Sequence, residues 1–168
     1  PGQSNNPLSI PLTVAINEWM AGNAGALVDP VDGDDDDWME LFNFGTNVVD
    51  LAGYYLTDNL TNPFAFRIPN GYSIPARGYL LVWADGEPCQ NSPNRADLHA
   101  GFKLAKEGGQ IGLFGEDGRS VDSVGFGLQT SDASQGRFPD GASWVGILTV
   151  PTPRAANLGK SNVTAPQF

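Results

Sequence analysis

The chain has 168 residues, 40% of them hydrophobic, with 21 Gly and 13 Pro. A chain of this size buries roughly 70% of the surface its unfolded form exposes, so it builds one core without disulfides or metals, and general disorder is excluded. Nine Lys and Arg stand against 19 Asp and Glu, a formal net charge of −10 with the bases scattered, which excludes the basic stripe needed to hold nucleic acid or an anionic lipid surface.

Residues 1–11 are rich in Pro, Asn, Ser and Gly and read as a linker. Residues 159–168 read the same way, so the expectation is one domain over residues 12–158, cut from a longer or processed protein. The domain opens with a strand at residues 12–19, where Leu12, Val14 and Ile16 alternate with Thr13, Ala15 and Asn17. Residues 23–37 are a polar insertion. Strands are next predicted over 38–44, 54–58, 64–68 and 78–84. In the last of these Tyr79, Leu81 and Trp83 share one face and Leu80, Val82 and Ala84 the other. Both faces are apolar, which predicts a central strand covered on both sides. Residues 110–114 and 120–124 flank Gly115, Glu116, Asp117 and Gly118, and an Asp-Gly pair in that position predicts a β-hairpin. Weaker strands are expected around Arg137 and Trp144, before a Pro-rich exit at 150–153. Helical periodicity is almost missing and no apolar run is long enough to span a membrane, so the pattern predicts an all-β, antiparallel sandwich or barrel.

The insertion carries the sharpest local feature. Asp29, Asp32, Asp34, Asp35, Asp36 and Asp37 place six carboxylates in nine residues. Like charges at this density repel unless they are solvated or neutralised, and calcium prefers oxygen ligands. A weakly bound calcium on these six residues is one reading; a solvated acidic loop is the plainer one. The spacing does not fit an EF-hand, because Val31 and Gly33 fall where that loop needs ligand side chains. Beyond this possible calcium, no cofactor is expected.

Catalytic signals are absent. Glu18 and Glu40 could form the acid pair of a glycoside hydrolase, but each reads as an outward or half-buried strand residue paired with a base such as Arg67 or Arg137. Cys89 has no visible catalytic partner, and His99 alone does not make a usual zinc site. There is no Gly-x-Ser-x-Gly elbow, phosphate loop or His-Glu-x-x-His. Trp19, Trp38, Trp83 and Trp144 lie in strand-like segments and are expected in the core for the most part, with a surface role open for one of them.

Taken in order, several motifs resemble the lamin-tail domain family. They are Val14-Ala15-Ile16-Asn17-Glu18, then Trp38-Met39-Glu40-Leu41-Phe42-Asn43, then Leu51-Ala52-Gly53-Tyr54-Tyr55-Leu56-Thr57-Asp58. Gly78-Tyr79-Leu80-Leu81-Val82-Trp83-Ala84 and Asp117-Gly118-Arg119-Ser120-Val121-Asp122 continue the series. Ser134-Gln135-Gly136-Arg137-Phe138-Pro139-Asp140-Gly141 looks like the bacterial branch. The resemblance spans residues 12–158 and implies an immunoglobulin-like β-sandwich. It supplies no catalytic residues. No heptad rod is present, so filament assembly is not implied. The expected function is a non-catalytic interaction or binding module of a larger bacterial protein, secreted or at the cell surface. Its partner is expected to be a protein, a cell-surface component or a neighbouring domain of its own chain, with no nucleic acid and no membrane insertion. A spacer beside an enzyme domain is the first alternative, and a carboxylate-based hydrolase the second.

Overall fold

The computed structural model describes residues 12–148 and 150–159. The expected linkers, residues 1–11 and 159–168, lie outside the described residues except for Gly159. Twelve strands follow one another: β1 Val14–Met20, β2 Trp38–Asn43, β3 Val49–Asp50, β4 Tyr55–Thr57, β5 Phe66–Arg67, β6 Ser73–Ile74, β7 Tyr79–Trp83, β8 Leu98–His99, β9 Gly108–Phe114, β10 Ser120–Gly127, β11 Ser134–Arg137 and β12 Val145–Leu148. A single turn of 3₁₀ helix covers Pro88–Gln90.

The strands form a six-stranded sheet in the order β12-β11-β1-β2-β7-β8, a four-stranded sheet β10-β9-β4-β5 and a small pair β3-β6. Every pairing is antiparallel except β7 with β8. This is the antiparallel sandwich that the pattern allows, in the immunoglobulin-like form that the resemblance implies. The main core lies between the two larger sheets, where Ile16, Trp19, Leu41, Leu56, Val82, Ile111 and Leu113 are buried together. The rings of Trp19 and Phe126 meet there at 6.2 Å.

The alternation in β1 changes phase halfway. Val14 and Ile16 face the main core, but so do Trp19 and Ala21. The register of β1 against β2 shifts between Ile16 and Glu18. One residue, Asn17, is absorbed in this bulge, so even-numbered residues point inward before it and odd-numbered ones after it. Glu18 and Met20 are thereby turned to the outer face of the six-stranded sheet.

That outer face is also dry. Met20, Trp38, Leu81 and Trp83 form a second buried cluster, with Leu27 of the insertion packed against it. β7 therefore contributes Leu80 and Val82 to one core and Leu81 and Trp83 to the other, as expected of a central strand. Elsewhere on this face the C-terminal segment lies across the sheet. Asn157 donates from Nδ2 to the carbonyls of Asn17 and Arg137, and the Arg154 backbone N–H donates to Glu40.

Candidate functional site

Three features of the molecule carry chemistry: the insertion with its acids, the glutamate pair on the outer face, and the exposed edge at β12.

The insertion folds into a tight loop. The Asp29 N–H donates to the Asp34 carbonyl at 2.9 Å and the Gly33 N–H donates to the Asp29 carbonyl at 2.9 Å. Gly33 holds φ at +90°, which glycine adopts without strain. Asp29 Oδ1 accepts from the Val31 N–H at 2.8 Å, and Asp32 Oδ1 from the Asp34 N–H at 3.0 Å. These bonds turn Asp29 inward and leave it wholly buried.

The fold brings two residues from elsewhere against it. Asp85 follows β7, and His99 ends β8, the parallel neighbour of β7. His99 Nδ1 lies 2.5 Å from Asp85 Oδ2 and 3.5 Å from Asp29 Oδ2, and all three side chains are buried. Asp29 Oδ2 and His99 Nε2 have no hydrogen-bond partner among the described residues. On the solvent side, Asp29, Asp32 and Asp36 each place a carboxylate oxygen within 4.8 Å of the others, and Asp29, Asp85 and His99 form a second such group. Gln90 Nε2 donates to Asp32 Oδ2 at 2.7 Å. A cleft lined by Pro30, Val31, Arg95, Ala96, Asp97 and His99 opens beside the cluster.

Burial raises the Asp29 carboxyl above its ordinary range, opposed by the Val31 N–H and by His99. Burial also raises Asp36, and the neighbouring Asp85, Asp32 and Asp29 push it the same way, opposed by the Lys103 charge. Asp32 is exposed and is held low by the Gln90 amide and the Asp34 N–H.

Of the six aspartates singled out by composition, the structure thus gathers Asp29, Asp32 and Asp36. Asp34 and Asp35 are exposed and stand outside both groups. Asp37 turns elsewhere, accepting from the Asn23 N–H at 3.0 Å. Asp85 and His99 were not anticipated as members. They are distant in sequence, and the parallel pairing of β8 with β7 that delivers His99 leaves no periodic trace.

The glutamates differ from expectation. Glu18 and Glu40 face each other directly across β1 and β2 and are wholly buried, and among the described residues no base pairs with either. Arg67 instead pairs with Glu116, and Arg137 with Asp122. Glu18 accepts from the Ser134 hydroxyl at 2.5 Å, the Thr152 hydroxyl at 2.9 Å and the Thr152 N–H at 3.0 Å. Glu40 accepts from the Arg154 N–H and keeps Oε1 without a partner among the described residues. Desolvation pushes the Glu40 carboxyl up to about 8, with Glu18 and Asp140 adding to it, and burial raises Glu18 as well. The sequence misses this because the covering segment is more than a hundred residues away. A carboxylate pair sealed under its own chain offers no substrate a path to it.

At the far edge of the six-stranded sheet the surface is apolar. Trp144, Val145, Ile147 and Val150 are exposed, with Trp144 at 58% and Ile147 at 60%. Leu128, at 73%, lies beyond the end of β10, and Leu128 and Ile147 line one shallow pocket with Gln135 and Ala133. The other three tryptophans are buried, as expected. β12 pairs with β11 on one side, and among the described residues no strand pairs with the other.

The sequence model of the Lamin Tail Domain family matches residues 10–127. No curated protein matches the chain.

Proposed function

The chain belongs to the lamin tail domain family, an immunoglobulin-like family, and from that membership we propose that it is a non-catalytic interaction module of a larger bacterial protein, secreted or held at the cell surface. The observation that carries this reading is the edge at β12. Open strand edges pair readily with other chains, and natural proteins shield them with charge or short length. Here the edge strand is short, four residues, but bears no charge and carries Val145 and Ile147, next to Trp144 and Val150. Exposed apolar groups gathered at one place mark contact surfaces, and a strand edge offers a protein partner backbone hydrogen bonds with side-chain pockets beside them. The net charge of −10 favours a partner with basic groups around the contact.

The test uses the full-length parent protein in its own cells. A photo-crosslinking residue in place of Ile147 is expected to give one discrete adduct with another protein. The same label at Arg119, on the exposed β9–β10 turn, is expected to give none. No adduct from position 147 overturns the reading, and adducts confined to neighbouring domains of the same chain favour the spacer.

A further inference from the structure

The acids of the insertion and Asp85 make up a local charge that the described residues balance only in part, through His99 in contact and Lys103 at longer range. Asp29 and Asp85 are buried, Asp36 is half-buried and Asp32 reaches solvent. Among the described residues no Lys or Arg comes within ion-pairing distance of any of the four, and His99 is the one basic group that does. Buried carboxylates without a partner are costly, and one imidazole, shared by two of them, offsets a single charge at most. Asp29 Oδ2 is the clearest sign. It has no hydrogen-bond donor and is sealed from water, and Asp29 is the residue shared by both groups of closely spaced ligands.

We propose that Asp29, Asp32 and Asp36 hold a hard divalent cation of the calcium class, with Asp29 as its buried anchor and Asp85 within its field. The spacing suits such an ion. Calcium sits about 2.3–2.6 Å from its oxygens, so two ligands on opposite sides of it are about 5 Å apart at most. The three carboxylates each offer one oxygen, and these lie within 4.8 Å of one another. The loop is already closed by the backbone bonds between Asp29, Gly33 and Asp34, so little ordering remains to oppose binding. Asp32 and Asp36 on the solvent side give the ion a way in. A softer ion on His99 is less well served, because Nδ1 is already engaged with Asp85 at 2.5 Å.

The experiment is calorimetric titration and thermal melting of the purified chain with calcium chloride, for the wild type, Asp36→Asn and the double variant Asp34→Asn with Asp35→Asn. The Asp36 carboxylate makes no hydrogen bond among the described residues and is half-exposed, so its variant keeps the fold, and the wild-type titration stands by itself. The expected result is one ion per chain and a melting temperature that climbs with free calcium. Asp36→Asn should weaken binding roughly tenfold or more, since it removes a charged ligand, while the double variant binds as the wild type does. Three results overturn the proposal: no heat and no shift in melting at millimolar calcium; equal weakening in the double variant, which makes the effect a diffuse one of the acidic loop; or tighter binding of zinc or manganese that His99→Gln abolishes, which moves the ion to the histidine group.

Discussion

Glu40 is a carboxyl wholly removed from water. It lies opposite Glu18, under the backbone of Arg154, with its carboxyl pushed up to about 8 by burial. A folded-state pKa above the ordinary value of 4.5 means that the folded chain keeps a proton which the unfolded chain has released. The stability tied to that proton is complete below about pH 4.5 and is lost as the pH rises through about 8. Glu18 is raised by the same cause and adds in the same direction. The wild type is therefore expected to lose several degrees of melting temperature between pH 6 and pH 9. Glu40→Gln, which stays neutral, should show a clearly flatter profile over that range. Parallel profiles for the two proteins in thermal melts would mean that Glu40 is ionised throughout. At the other end of the same clamp, Thr152 gives Glu18 both its hydroxyl and its N–H. Thr152→Val keeps the shape but removes one donor from a buried carboxylate, for an expected loss of about 1–3 kcal/mol in urea unfolding.

β7 is the element on which both cores depend. Val82 is wholly buried between the sheets, and Val82→Asp would place an unpaired charge there. A loss of about 4 kcal/mol or more, or no folded protein, is expected; near-normal urea unfolding would contradict the two-sided placement of this strand. The β9–β10 turn makes a milder test. Gly118 has φ at +76°, and a Cβ on it would meet Phe64 Cζ at 2.8 Å. Gly118→Ala should cost roughly 1–2 kcal/mol through backbone strain and crowding.

The long elements β1, β2, β7, β9 and β10 were legible because their apolar residues alternate or run together and turn residues bound them. β3, β6 and β8 were not. Two residues carry no period, and these strands exist because a neighbour offers them a register. The bulge at Asn17 was hidden for a related reason: alternation reads correctly on each side of it, and only the pairing with β2 reveals the slip. The acidic loop was visible as composition. Which of its aspartates turn inward depends on backbone bonds within the loop, and what they meet depends on the β7–β8 pairing.

The acidic cluster and the apolar edge stand at opposite margins of the six-stranded sheet. The carboxylates of the insertion gather with Asp85 and His99 beyond the β7 and β8 ends, while Trp144, Val145 and Ile147 mark the β12 edge, the opposite margin of the six-stranded sheet. Under the proposed function, this open edge is where the backbone of the sheet would meet a partner. The pocket that Leu128 and Ile147 share extends the contact from β12 toward the end of β10. The measurement that bears most directly on the account is the affinity of the protein captured at position 147 for the wild type, for Ile147→Asp and for Arg119→Ala. Ile147 is exposed, so its variant should melt as the wild type does. The account predicts that Ile147→Asp weakens binding by about tenfold or more, while Arg119→Ala leaves it unchanged; equal affinity for all three proteins would contradict it.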